Sequence, residues 1–355
     1  MCNSLLFGAS ASVFAFIRVS RSLSFLLNKV ALIPSSVFFD DFPLFTPSSS
    51  GEEADKGASE LLDLLGWRHA KSGKKGLPFS RAFDVLGLNL HLEALGHGRV
   101  SLENKAGRLE KIATLVQEVQ ERDILARAEA QKIQGLLNFA SGFYSGRALT
   151  PFARSLSRMV DLPGCDGLAQ RARGLLSLLR GAKPRVLSVG DEKVPVVIFT
   201  DGSWENGKSG LGSIIFDPTD GFVEVVSGEC PAALLKAWEN QVGKQIICQL
   251  ELYMLVLVRS LYAQRLQGRR ALFFIDNEAA RFAVIKGGTD SPSLATMCRV
   301  LATLDQQHGS YNWVERVPSL SNPADTDAPS RGDTAEPARL FGAVSVSGPP
   351  GRRRT

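Results

Sequence analysis

The sequence predicts an α/β protein over residues 195–335: a mixed five-stranded sheet with flanking helices. Three observations carry this. Short apolar runs of strand length fall at Val196–Thr200, Leu211–Phe216 and Phe222–Val226, close enough together to form a meander. A long apolar helix, Ile246–Leu266, then leads to a fully apolar strand, Ala271–Ile275. Two shorter helices, Glu278–Ile285 and Ser293–Gln307, and a last strand, Tyr311–Val317, complete an order βββαβααβ, which requires both parallel and antiparallel neighbours. Asp201–Gly202–Ser203, directly after the first strand, reads as a turn.

A chain of 355 residues is long enough for two or three domains, each with its own core. Its 44% apolar and 22% charged residues are interspersed throughout, and the net charge of +5 suits a polyanionic partner without demanding one. The five cysteines (Cys2, Cys165, Cys230, Cys248, Cys298) are far apart, with no CxxC pair and no histidines at zinc spacing. That argues against a zinc site and for a reduced, intracellular chain. Residues 1–39 lack Asp and Glu but include Arg18, Arg21 and Lys29, a bias shared with transit peptides. The apolar stretch Leu5–Ile17 is too short and broken to span a bilayer, so no membrane partner is expected.

Along the first half, two apolar runs, Val30–Phe39 and Phe42–Phe45, flank Asp40–Asp41 as a β-hairpin would. Pro47–Asp55 reads as a loop, Ala58–Trp67 as a short helix and Phe83–Leu92 as a strand. Leu109, Ile112, Leu115, Val116 and Val119 recur at helical spacing within Leu102–Gln120, and Arg127–Phe143 and Ala148–Val160 read as further helices. Residues 163–194, rich in Gly and Pro around one short basic helix, read as a linker, and residues 336–355 as a disordered basic tail.

Three acids fall where this topology would gather them. Asp201 follows the first strand in FTDGS, Glu251 lies in the long helix in CQLELYM, and Asp276 ends the fourth strand in FFIDNEA. Sites in open α/β sheets collect at the carboxyl ends of parallel strands. Asp201–Gly202 alone is more often a turn, and Asp276–Asn277 alone is as readily a helix cap. Glu251 has no such bland reading, because Leu250, Leu252, Met254 and Leu255 surround it. Clustered carboxylates repel unless a cation lies between them, and in-line phosphodiester hydrolysis uses two divalent ions held by hard oxygen ligands.

FTDGS, the ELY-bearing helix, FIDN and NPADTDAPSR together resemble the ribonuclease H domain of retroelement reverse transcriptases, over residues 195–332. The resemblance implies endonucleolytic hydrolysis of the RNA strand of an RNA–DNA hybrid with two Mg²⁺ ions, Mn²⁺ being a substitute. It assigns Asp201, Glu251 and Asp276 as catalytic metal ligands and requires a fourth acid after the last strand. Asp325, in the NPAD string, and Asp327, spaced to Ser330–Arg331 like the retroelement D-x-x-S-R ending, compete for that role. Many cellular members carry a histidine in the loop after the last strand; RVPSLSN has none here, and His308 lies before the strand.

Val37-Phe38-Phe39-Asp40-Asp41 resembles the Tyr/Phe-x-Asp-Asp motif of reverse transcriptases, where paired acids on a tight hairpin hold metal for nucleotidyl transfer. LLFGASASVFAFIRVSR upstream, LLDLLGW, KSGKKGLPF and FDVLGLNL downstream, and the helices of RLEKIATLVQEV and QKIQGLLNFASGFYSGR resemble palm, primer-gripping, thumb and connection segments. The implied organisation is a partial palm at 1–95, a helical thumb and connection at 96–162, the linker at 163–194, the nuclease at 195–335 and the tail. A third palm carboxylate and the fingers would precede residue 1, so RNA-directed DNA synthesis is expected to be lost. Apolar surface left bare by absent fingers is expected to drive self-association or pairing with a second polymerase chain.

Phosphate contacts would come from basic groups such as Lys74, Lys75 and Arg269, and recognition of the RNA strand from small polar groups by the acids, Ser203 and Asn277. Two other classes fit less of the sequence. One is a catalytically degenerate nucleic-acid-binding remnant, favoured by the irregular ADTDAPSR segment. The other is a different nuclease on a similar sheet, which would need its acids placed otherwise.

Overall fold

The computed structural model describes residues 8–73, 75–141, 149–157, 168–188, 194–325 and 344–347. The chain divides into two compact units, residues 1–101 and 102–355.

In the first unit, α1 (Ser10–Lys29) and α2 (Gly51–Leu64) flank the segment carrying Asp40 and Asp41. That segment is a hairpin held by the bridges Ser35↔Leu44 and Phe38↔Asp41. Its base is stapled to α1 by Asn28, whose amide donates to the Ser24 and Ser35 carbonyls and whose Oδ1 accepts from the Ser35 amide. The core is small: Leu27, Ile33, Ala54 and Ala58, with Phe42, Leu44, Leu61 and Phe79 against it. Large apolar side chains remain exposed, among them Phe14, Phe25, Val30, Leu32 and Leu64. α1 is longer than the apolar stretch Leu5–Ile17 suggests. With a mean hydropathy of 1.3 over its 18-residue window, it is the one helix among the described residues that meets the length and composition of a membrane span. Only 22% of that window is buried, Leu27 of α1 being in the core. The run Phe83–Leu92 is two short antiparallel strands, β1 (Ala82–Val85) and β2 (Leu88–His91), joined at Leu86–Gly87 with both φ angles positive. A further strand, β3 (Arg99–Asn104), leads from one unit to the next.

The second unit opens with four helices: α3 (Arg108–Arg122), α4 (Arg127–Ser141), α5 (Thr150–Ser157) and α6 (Leu168–Arg180). Their apolar faces form one core that includes Ile112, Val116, Leu137, Phe152, Leu175 and Leu179. Residues 163–194, expected as a linker, therefore contain a core helix: α6 buries Leu168, Ala172, Leu175, Leu176, Leu178 and Leu179. The short basic helix read there is thus part of the helical core and not of a linker. β4 (Arg185–Ser188) follows.

The remaining elements are β5 (Val196–Glu205), β6 (Lys208–Asp217), β7 (Phe222–Gly228), α7 (Ala232–Val242), α8 (Ile247–Leu261), β8 (Arg270–Ile275), α9 (Glu278–Lys286), α10 (Pro292–His308) and β9 (Tyr311–Arg316). Five of the strands lie in the order β7-β6-β5-β8-β9. The meander β5–β6–β7 is antiparallel, and β5, β8 and β9 run parallel. This is the mixed five-stranded sheet with flanking helices that the sequence predicts. A sixth strand, β10 (Val344–Ser347), pairs parallel to β7 within the segment expected to be disordered; the rest of the tail lies outside the described residues.

Two local expectations change. Asp201–Gly202–Ser203 is not a turn but the interior of β5, opposite Gly212, Leu211 and Gly210. The hairpin closes later, at Asn206–Gly207, both with positive φ, because Asn-Gly accepts the two left-handed conformations of a two-residue loop. The helix α7, not anticipated, buries Trp238 against the core, its ring 5.7 Å from that of Tyr253.

α8 lies across β5 and β6 and against α10. Its last turn is anchored by Arg259, which is fully buried, pairs with Asp305 at 3.0 Å and donates to the Leu304 carbonyl and the Ser310 hydroxyl. Burial pushes the Asp305 carboxyl up to about 6 against the pull of Arg259. The helical core and the sheet join through α10: Ala302 belongs to the helical core, and Gln306 Nε2 donates to the Leu178 carbonyl at 2.6 Å.

Candidate metal centre

The parallel register pairs Phe199 with Phe274. The same offset carried two residues further sets Asp201 beside Asp276 on adjacent strands, whose spacing is about 4.8 Å. α8 brings Glu251 to the same point. One carboxylate oxygen from each of Asp201, Glu251 and Asp276 lies within 4.8 Å of the other two, the one such grouping of three potential ligands among the described residues.

Each acid is held by its element. Asp201 is buried within β5. Asp276 follows β8 directly and precedes Asn277, whose Oδ1 caps α9 by accepting from the Ala280 amide at 3.0 Å. Glu251 is 2% exposed among apolar α8 neighbours, and its Oε2 is buried with no hydrogen-bond partner. Burial first, then the Asp276 carboxyl touching it and the charge of Asp201, push the Glu251 carboxyl up to about 11. An apolar pocket that collects carboxylates and leaves an oxygen unsatisfied is a poor arrangement for a bare protein. It fits a hard divalent cation, which takes oxygen ligands and offsets their repulsion.

The close approach of α8 depends on Gly202. A Cβ there would stand 2.9 Å from the Glu251 amide nitrogen and 3.0 Å from Leu250 atoms.

Asp325 is half-buried in the turn after β9, its amide donating to the Asn322 carbonyl at 3.2 Å. Asp327 lies outside the described residues, as does Lys74. Ser203 is half-buried, two residues beyond Asp201 on β5. Asn277 stands directly after Asp276, with its Oδ1 taken by the cap. Asp40, Asp41 and Lys75 are exposed in the first unit, and Asp40 and Asp41 belong to no group of three potential ligands among the described residues.

Arg269 occupies a different setting from the one its charge suggested. It donates twice to Asp217, at 3.0 and 2.9 Å, and again to the Val194 carbonyl and the Thr219 hydroxyl. It precedes β8 while Asp276 follows it, so the strand length of about 20 Å separates them. Burial would raise Asp217, but the bonds from Arg269, Thr219 and Arg265 hold it well below the usual carboxylate range. His308 also lies at that far end, its carbonyl accepting from the Gly268 amide.

One residue that sequence reading passed over joins the centre. Asn322 is buried, and its amide nitrogen donates to the Thr200 carbonyl at 3.0 Å and to Asp201 Oδ1 at 3.3 Å. The only signal was its place at the head of NPAD.

No protein-family model matches the sequence, and a search of curated proteins finds no match. Solved structures do resemble it. One is a foamy viral protease-reverse transcriptase in complex with double-stranded DNA, with TM-score 0.39, 15% identity, 85% of this chain covered and 49% of that one. The RNase H1 from the halophilic archaeon Halobacterium salinarum NRC-1 has TM-score 0.30 and 17% identity, over 39% of this chain and 99% of that one. LC11-RNase H1 in complex with an RNA/DNA hybrid has TM-score 0.29 and 16% identity, over 37% of this chain and 91% of that one. This chain spans about half the length of the first of them. Its structural neighbours thus include a reverse transcriptase and RNase H1 domains.

Proposed function

We propose that residues 195–335 hydrolyse the RNA strand of an RNA–DNA hybrid endonucleolytically, leaving a 3′-hydroxyl and a 5′-phosphate. The observation that carries this reading is the buried meeting of Asp201, Glu251 and Asp276, with Glu251 Oε2 unpartnered. These three, with Asp325 as the fourth acid, would hold two Mg²⁺ ions, or Mn²⁺ in their place. Cations so held would lower the pKa of an attacking water and neutralise charge on the leaving oxygen.

The chain's own groups do the rest. β5 presents Asp201, the residue directly after β8 is Asp276, and α8 supplies Glu251 from among apolar neighbours. Ser203 and Asn277, close to the acids in the chain, would be the small polar groups that meet the strand being cut. Lys75 is exposed for a phosphate contact, whereas Arg269 is committed to Asp217. Incubation of the full chain with Mg²⁺ and one labelled RNA strand, presented in a hybrid, in an RNA duplex and alone, tests the reading. Cleavage confined to the hybrid supports it; cleavage of a DNA strand, or of RNA in every context, would assign a different nuclease.

A further inference from the structure

We propose that Asn322 is a positioning residue for the metal centre: it orients the Asp201 carboxylate and ties the turn carrying Asp325 to β5. The inference rests on the metal-dependent reading above and extends it to a side chain that touches neither metal nor substrate.

The geometry is specific. The last β5–β8 rung is Phe199↔Phe274, so the ladder from β8 stops just short of Thr200. There Asn322, 5% exposed, supplies a donor, its Nδ2 meeting the Thr200 carbonyl at 3.0 Å and Asp201 Oδ1 at 3.3 Å. One NH₂ group thereby holds both the backbone ahead of the acid and the acid itself. On its other side, Asn322 Oδ1 accepts from the Ala324 amide at 3.2 Å, and the Asn322 carbonyl accepts from the Asp325 amide at 3.2 Å. The turn that presents Asp325 is closed by the same residue. Asp325 is therefore the acid whose backbone is coupled to β5.

An amide suits this place better than its isostere. It donates two hydrogens and carries no charge, whereas an Asp at 322 would only accept and would add a further acid to those already gathered. A donor to a ligating carboxylate fixes its orientation before the cation arrives, and losing such a partner typically costs about 10–100-fold in metal affinity or activity. A staple that merely attached a loop to a strand would lower stability and leave cation affinity alone.

The test compares the full-length protein with Asn322→Ala, Asn322→Asp and Asn322→Ser, with Asp201→Asn as the metal-dead control. Two readouts are taken: the Mg²⁺-induced rise in thermal unfolding midpoint, which needs no turnover, and the Mg²⁺ dependence of hybrid cleavage. Asn322→Ala is expected to raise the half-saturating Mg²⁺ concentration about tenfold in both, with the KM for hybrid at saturating Mg²⁺ unchanged. Asn322→Asp should be worse, and Asn322→Ser, which keeps a small donor, intermediate. Asp325→Asn should weaken Mg²⁺ binding in the wild-type background and add little to Asn322→Ala, because the two share one turn. If Asn322→Ala does not fold, Asn322→Ser carries the comparison. A folded Ala or Ser variant with wild-type Mg²⁺ dependence, while Asp201→Asn loses its Mg²⁺ response, overturns the inference and leaves the metal-dependent reading intact. A wild type that neither gains stability from Mg²⁺ nor cuts overturns both.

Discussion

Gly202 and Glu251 are in backbone contact: β5 at residue 202 and α8 at residue 251 approach so closely that a Cβ on Gly202 would lie 2.9 Å from the Glu251 nitrogen. The neighbour is main chain inside a packed helix, so it cannot swing aside. Gly202→Ala must therefore shift α8 and carry Glu251 away from Asp201 and Asp276. The expected cost is about 1–3 kcal/mol, typical of overpacking. Cleavage should fall by more than the loss of folded protein explains, and the half-saturating Mg²⁺ concentration should rise. Calorimetry beside a Mg²⁺ titration measures both; a variant stable and active as wild type would mean the contact is looser than it stands here.

The raised Glu251 carboxyl gives the cation-free protein a pH dependence with a definite sign. Burial and its acidic neighbours push it from its ordinary value of 4.5 up to about 11. The stability its proton confers is therefore complete below about pH 4.5 and is eroded as pH rises towards 11. In chelator, the unfolding midpoint should fall between about pH 6 and about pH 9, and the Mg²⁺-induced rise should grow over the same window, because fewer protons compete for the site. Glu251→Gln should raise cation-free stability at about pH 8 by on the order of 1–3 kcal/mol and remove the Mg²⁺ response. Calorimetry across that range checks this; a larger Mg²⁺ effect at the acid end would contradict it.

Arg269 is expected to matter for stability and not for substrate. Asp217 is 1% exposed and takes two bonds from it, so Arg269→Ala leaves a buried carboxylate with Arg265 as its remaining ion-pair partner. About 1–3 kcal/mol of destabilisation should follow. Hybrid affinity of the folded variant should be unchanged, as a filter-binding or anisotropy titration would report. A drop in affinity at unchanged stability would restore Arg269 to the nucleic-acid surface.

Asp40 and Asp41 sit exposed at a hairpin tip and, among the described residues, lack a third carboxylate beside them. Two acids without the third are a weak cation site. The full chain is expected to give no robust extension of a primed RNA template, whether Asp201 is intact or replaced by Asn. Sustained primer extension by the purified chain would overturn this.

Much of residues 195–335 was legible because the signals are local. Apolar runs of strand length gave β5, β7 and β8, and an acid inside an apolar helix singled out Glu251. The misreadings came from residues with two common uses. Asp201–Gly202 suits a turn as well as a strand, and only pairing with Gly212 and Leu211 decides between them, whereas the Asn206–Gly207 turn was overlooked. The basic charge of Arg269 could not disclose Asp217, since 52 residues separate the two. Asn322 was invisible for a similar reason: its bonds to Thr200 and Asp201 span 122 and 121 residues. Helix α6 was read as a short basic helix in a linker, and its buried leucines, which keep a helical period, make it core.

The most direct test of the whole account is cleavage of a labelled RNA strand in an RNA–DNA hybrid with Mg²⁺, wild type beside Asp201→Asn. Metal-dependent cutting by the wild type, reduced about a hundredfold or more in a mutant that still folds, is the predicted result. No cutting in Mg²⁺ or Mn²⁺ by wild-type protein shown to be folded would contradict it and leave a nucleic-acid-binding remnant as the better description.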